Sequence, residues 1–133
     1  MPNEPVKKGE TGLWGEKLAG EMLVGKGYKI LGRRVQLDAR DEIDIVARDR
    51  EVLVFVEVKT RAAENYGSPM SSVDRKKRHV LSRAAARYLK RKKFPAVNFR
   101  FDVVEVIGRI GGNAPEIRHT ENAFNLDKIY YLP

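Results

Sequence analysis

Glu51-Val52-Leu53-Val54-Phe55-Val56-Glu57-Val58-Lys59-Thr60-Arg61 is the stretch from which the rest of the chain can be read. Val52–Val58 is an apolar run of strand length, rich in β-branched residues, and Glu57 alone interrupts it. Side chains alternate along a strand, so Leu53, Phe55, Glu57 and Lys59 share one face and Val52, Val54, Val56 and Val58 the other. Apolar residues on both faces predict a central strand covered on both sides. A carboxylate and an ammonium two residues apart at its end then need a reason, because an unpaired buried ion costs several kcal/mol. They either pair with each other or line a polar cleft.

Outward from this strand, the pattern predicts an α-β-β-β-α-β core with a C-terminal extension. A first helix runs from about Leu13 to Lys26, with Trp14, Leu18, Ala19, Met22 and Leu23 at helical spacing and Gly25 and Gly27 at its end. Tyr28–Val35 and Glu42–Ala47 read as strands, joined by the polar segment Gln36–Asp41. Ser71 or Ser72 is the expected N-cap of a second helix. Its apolar stripe is Val73, Val80, Leu81, Ala84, Ala85, Tyr88 and Leu89, and Pro95 ends it. Val97–Ile107 is a fourth long strand, Glu116–Thr120 a short edge strand and Asn122–Leu126 a helical turn. A helix between the third and fourth strands makes those two parallel, which gives a mixed α/β sheet flanked by helices.

The 133 residues suit one core, read as a single domain over 12–133 behind a loose tail at 1–11. There is no Cys, which excludes disulfides and thiolate metal sites. The first residues lack the apolar segment of a signal peptide, and no apolar run approaches the roughly 20 residues of a membrane span. A cytoplasmic chain with no membrane partner is the expectation. The net charge of +8 is concentrated. Residues 71–93 hold ten Lys/Arg (Arg75, Lys76, Lys77, Arg78, Arg83, Arg87, Lys90, Arg91, Lys92, Lys93) against Asp74, while the remainder has 16 Lys/Arg against 17 Asp/Glu. Such a basic face is the footprint of a polyanion, and nucleic acid is the commonest one. The bland alternative is a solvated helix face.

Asp44 breaks the second strand as Glu57 breaks the third. If the two strands form a hairpin with an even-length loop, even residues oppose odd ones. A two-residue loop at Asp49-Arg50 sets Asp44 opposite Phe55; a four-residue loop sets it opposite Glu57. Either way Asp44, Glu57 and Lys59 are expected on one face, within cross-strand reach of about 5–8 Å. Two carboxylates about 5 Å apart repel by about 3 kcal/mol at an effective dielectric near 20. A cation must intervene. Lys59 satisfies that in a purely structural network; a divalent metal satisfies it in a working site, because Mg²⁺ takes one or two carboxylates, keeps several waters and binds phosphate.

Asp44 followed by Glu57-Val58-Lys59 thirteen residues on resembles the Asp…Glu-x-Lys signature of the restriction-endonuclease-like nuclease superfamily. Several further segments are similar to the bacterial YraN-type family, which is related to archaeal Holliday-junction resolvases. They are Gly15-Glu16, Glu42-Ile43-Asp44-Ile45, Phe55–Arg61, Lys77 with Leu81, Arg100–Val104 and Asn122-Ala123-Phe124. The resemblance covers about residues 12 to 126. It implies the restriction-endonuclease-like fold and a DNA endonuclease dependent on Mg²⁺ or Mn²⁺. Asp44 and Glu57 would be the metal ligands, Lys59 would serve the attacking water, and Glu16 would be an acid of the first helix near the metal. This chain departs from the pattern at Asp41, where Gly is usual, and at Arg34, where Asn is frequent. An acid at position 41 would be expected to crowd the metal or repel phosphate.

Phosphate contacts are expected from Arg61, Arg75, Lys76, Lys77, Arg83, Arg87, Lys90 and Arg91. Neither His79 nor His119 has acid partners at zinc spacing, so both read as structural or solvated. Trp14 reads as core and Asn122 as a cap. Asp102 and Glu105 fall on opposite strand faces and carry no assigned chemistry. Two functions remain open from the sequence: a metal-dependent endonuclease, and a nucleic-acid-binding module that keeps the fold without cleaving. The sequence alone does not separate DNA from RNA, or a monomer from a homodimer.

Overall fold

A computed structural model describes residues 9–62, 74–93 and 98–125. The elements are α1 (Glu10–Gly25), β1 (Lys29–Gln36), β2 (Glu42–Asp49), β3 (Val52–Arg61), α2 (Arg75–Lys92), β4 (Asn98–Ile107) and β5 (Glu116–Phe124). The strands form one mixed sheet in the order β1-β2-β3-β4-β5. β3 and β4 are parallel and every other neighbouring pair is antiparallel, as the intervening helix requires. β3 is central, with six consecutive buried residues from Leu53 to Val58.

The two faces of β3 carry separate cores. Val54, Val56 and Val58 pack with Val104 and Val106 of β4 under Ala19 and Leu23 of α1. Leu53 and Phe55 pack with Phe101 and Val103 under Leu81, Ala84, Ala85, Tyr88 and Leu89 of α2. The second core is aromatic: Phe55 meets Tyr88 edge-on at 5.6 Å, and Phe101 stacks on Phe124 at 4.7 Å. Burying each such side chain stabilises the fold by about 1.5–3 kcal/mol. Burial also pushes the Tyr88 phenol upward from its ordinary pKa.

Three boundaries differ from the sequence expectation. α1 begins at Glu10 rather than Leu13, taking in residues 10 and 11 of the segment read as tail. The second helix is capped by Asp74, whose Oδ1 accepts the Lys77 N–H at 2.9 Å; Ser71, Ser72 and Val73 lie outside the described residues. Asn122 is not in a helical turn. It belongs to β5 at φ 52, and its N–H donates to Asp102 Oδ1 at 3.0 Å. Asn tolerates this left-handed conformation better than most residues. No helix among the described residues is long and apolar enough to cross a membrane.

That Asn122 contact is part of a polar cluster on the α1 face. Asp102 is wholly buried. It accepts from Arg100 Nε at 2.9 Å and is 2.7 Å from His119 Nε2. Lys26 Nζ approaches the other ring nitrogen of His119 at 2.8 Å. Arg100 also donates to Tyr28 and Asp49. Burial alone would raise the Asp102 carboxyl, but the bonds from His119, Arg100 and the Asn122 amide outweigh it and hold the group below its ordinary range. Burial pushes the Tyr28 phenol up to about 12. This cluster ties β5 to the ends of α1 and β2.

Because the folded Asp102 carboxyl titrates below its unfolded value, its stabilisation is full above the unfolded value near 4 and is lost as pH falls through the folded one. Asp102→Asn is therefore expected to cost about 3 kcal/mol at pH 7, as breaking a buried ion pair does. The deficit should shrink in acid. Denaturant titrations of both proteins at pH 7 and pH 3 check this; an equal deficit at both would mean that only packing was disturbed.

Candidate active site

The β2–β3 ladder runs from Asp49↔Val52 to Ile45↔Val56 and stops there. The tight turn is Arg50-Glu51, so the register, carried one step further, sets Asp44 opposite Glu57. Beyond that point β2 continues against β1 alone and β3 against β4 alone. The strands part, and Asp44 stands in the fork. Its Oδ2 accepts the Val58 N–H at 2.8 Å, the donor that a β2 carbonyl would otherwise take. A buried amide is thus satisfied while the backbones separate.

The fork splits the acids more than strict alternation suggests. Ile43 packs in the α2 core and Ile45 in the α1 core, although they are two residues apart. Side-chain alternation therefore breaks at Asp44. The facing strand turns there too: Arg34 lies between the pairs Arg33↔Ile45 and Val35↔Ile43 with φ 49, left-handed backbone that Arg rarely adopts.

Asp44 consequently lines a cleft of about 240 Å³ on the α1 side, together with Leu13, Glu16, Lys17, Arg33, Arg34 and Ile45. Glu57 stands at the same fork on its α2 side, beside Lys59 and Lys77. Asp44 and Glu16 are 8% exposed and Glu57 5%. α1 reaches the cleft because residue 15 is Gly: a Cβ there would overlap the Thr60 hydroxyl. At Gly20 a Cβ would meet the Arg33 guanidinium, the end of a flexible side chain that can move aside.

On the α2 side, Glu57 Oε2 lies 3.3 Å from Lys59 Nζ and 3.5 Å from Lys77 Nζ. Next to this trio, Arg61 Nε lies 2.9 Å from Glu105 Oε2, with the Arg61 side chain 10% exposed and Glu105 1%. Arg61 is thus an internal partner of Glu105. Among the described residues no three acids or histidines converge as a ready metal cage.

The basic helix divides in two. Arg83 grips Asp41 with Nε and one terminal nitrogen, both at 2.8 Å, and Asp41 is wholly buried. Arg87 pairs with Asp38 at 2.6 Å. Arg91 donates to the Leu37 carbonyl at 2.6 Å. These residues, spaced by four, form one stripe that clamps the β1–β2 connection. The Arg40 and Asp41 amides, bonded to Asp38 at 2.8 Å each, hold its carboxyl below the usual range. Asp41 therefore neither crowds the cleft nor faces a phosphate; it is neutralised by Arg83. Arg75, Lys76 and Lys90 are exposed and enter no ion pair among the described residues.

Sequence reasoning gave no partner to Asp41, Asp102, Glu105 or His119. The only signal available was an acid next to apolar strand residues, which shows that a partner is needed without naming it.

The family model described as "Uncharacterised protein family UPF0102" matches residues 15–106, a span that contains every acid of the fork. A UPF0102 protein of Chlorobaculum tepidum is 47% identical over 96 residues, covering 72% of this chain and 74% of its own. One from Geobacter sulfurreducens is 44% identical over 115 residues, covering 86% and 88%. A third, from Syntrophotalea carbinolica, is 40% identical over 116 residues, covering 87% and 92%.

The two halves of the helix should separate in a binding assay. Neutralising Arg75, Lys76 and Lys90 together is expected to flatten the dependence of log affinity for duplex DNA on log salt, by up to about 0.9 for each phosphate no longer neutralised. Arg83→Gln should instead lower stability by about 3 kcal/mol, by stranding Asp41. Salt-dependent binding and denaturant unfolding, run on both variants, distinguish these effects. An unchanged slope in the triple variant would place the phosphate surface elsewhere.

Proposed function

The chain belongs to the uncharacterised protein family UPF0102, and from the strand fork we propose that it is a metal-dependent endonuclease hydrolysing phosphodiester bonds of DNA. Branched and repair-intermediate DNA are the substrates to test first. One observation carries this reading: two buried carboxylates, Asp44 and Glu57, stand on either side of a fork in the sheet with Lys59 beside one of them. A fold that needed only stability would do better with apolar side chains there, because buried ion pairs rarely repay their desolvation.

The donor chemistry fits a hard divalent cation. Mg²⁺ or Mn²⁺ accepts one or two carboxylates and keeps its remaining positions for water and phosphate, so a third protein ligand is not required. Asp44 and Glu57 would hold it, with Glu16 across the cleft able to receive one of its waters. Bound there, such an ion would supply polarisation of a phosphoryl oxygen and a more acidic water. The chain's own groups do the rest. The Val58 N–H fixes the Asp44 carboxylate, and the pairing of the Lys59 ammonium with Glu57 keeps it beside the phosphoryl oxygens as their charge grows. The exposed cations of α2 hold the flanking backbone without reading sequence.

A second reading is a nucleic-acid-binding module without cleavage. It is favoured by the fact that Glu57 already has two lysines as partners. Branched, nicked, single-stranded and duplex DNA should be incubated with Mg²⁺ or Mn²⁺ and wild type, Lys59→Ala or Glu57→Ala. Lys59→Ala is expected to bind DNA and metal nearly as wild type does and to cleave about 10²–10³ times more slowly, the usual worth of such an electrostatic contact. Glu57→Ala should lose both cleavage and metal affinity. A wild type that binds no divalent ion and cuts none of these forms would leave the binding module standing instead.

A further inference from the structure

We propose that Lys77 is a second lysine of this site, a phosphate-binding residue that acts with Lys59 across the Glu57 carboxylate. The proposal rests on the nuclease reading for its substrate, a phosphodiester, but not for its geometry. Lys77 comes from the first turn of α2, not from the strands. It converges with Lys59 on a single oxygen, Glu57 Oε2, at 3.5 and 3.3 Å.

Among the described residues of this face, Arg61 is matched by Glu105, and Glu57 answers two ammoniums. A phosphodiester monoanion would give the second ammonium a partner of its own. The first turn of α2 carries Arg75, Lys76, Lys77 and Arg78, and the acid at that end of the helix is the Asp74 cap. An anion beside that turn would relieve the crowding of like charges.

The side chain is suited to a double role. Lys77 is 38% exposed, whereas Glu57 is 6% exposed at its side chain, so the ammonium can leave the carboxylate and remain in solvent within reach of a ligand. Its backbone is fixed, because the Lys77 N–H is held by the Asp74 cap. When Glu57 turns to another partner, Lys77 is free to donate to a phosphate oxygen. Lys29 carries the same charge and is exposed on β1 opposite Arg48, at the end of the sheet remote from the fork. It is therefore the control.

The test compares Lys77→Met, Lys77→Arg and Lys29→Met in the whole protein, with unchanged melting temperature as the entry condition. The first probe is inorganic phosphate, followed by amide chemical shifts. Lys77→Met should weaken phosphate binding about tenfold, the worth of one charge-assisted hydrogen bond. Lys77→Arg should restore most of it and Lys29→Met should change it little. The second probe is Mn²⁺ without DNA. Lys77→Met should bind it several-fold more tightly than Lys29→Met, because an ammonium that competes for Glu57 is gone. Equal effects of Lys77→Met and Lys29→Met on both probes would overturn the proposal. If wild type cleaves no DNA, the nuclease reading fails while the phosphate measurement still decides the place of Lys77.

Discussion

The Asp44 carboxylate accepts a backbone amide of the neighbouring strand at the point where two strands separate. Without that bond, the parting of β2 and β3 would strand the Val58 N–H in the interior, at a cost of about 1–3 kcal/mol. With it, the sheet can open at one end without that penalty. The rest of the candidate site depends on that opening. It places Glu57 and Lys59 at the end of a strand that no longer has β2 alongside, and it exposes Asp44 to a cleft under α1. Gly15 then lets α1 come close enough for Glu16 to share the cleft.

A fork of this kind needs its free ends held. β3 is held by β4, through a parallel register that runs unbroken from Val52↔Asn98 to Arg61↔Ile107. The start of β2 is held by α2, through Arg83, Arg87 and Arg91 on the β1–β2 connection. The helix that supplies exposed cations on one side thus fixes the strand that carries Asp44 with another. Exposed cations and positioning arginines are joined in one element, and Lys77 at its first turn faces Glu57.

Most of the fold was legible in the sequence because periodicity reports burial. The apolar run at Val52–Val58 marks a strand covered on both faces, and the stripe Leu81, Ala84, Ala85, Tyr88, Leu89 marks the covering helix. Asp44 and Glu57 were legible for the same reason, as acids where apolar residues belong. What strand parity could not supply was the break at Asp44. It depends on a left-handed Arg34 in the adjacent strand, and neither residue announces that conformation. The destinations of Arg83, Arg87 and Arg91 were hidden as well. Charge counts register cations but not whether an internal carboxylate has claimed them, and Asp41 looked like an intruder because its partner lies 42 residues away in the chain. Asn122 was misplaced because a residue type favoured at caps also suits a left-handed position inside an edge strand.

The most direct measurement is a Mg²⁺ titration of the protein alone, followed through backbone amide shifts. The Val58 amide reports on the Asp44 carboxylate without any substrate. Shift changes should concentrate at Asp44, Glu57 and Val58 and disappear in Asp44→Asn. Changes that spread over the surface acids, or that persist in Asp44→Asn, would contradict a metal site at the strand fork.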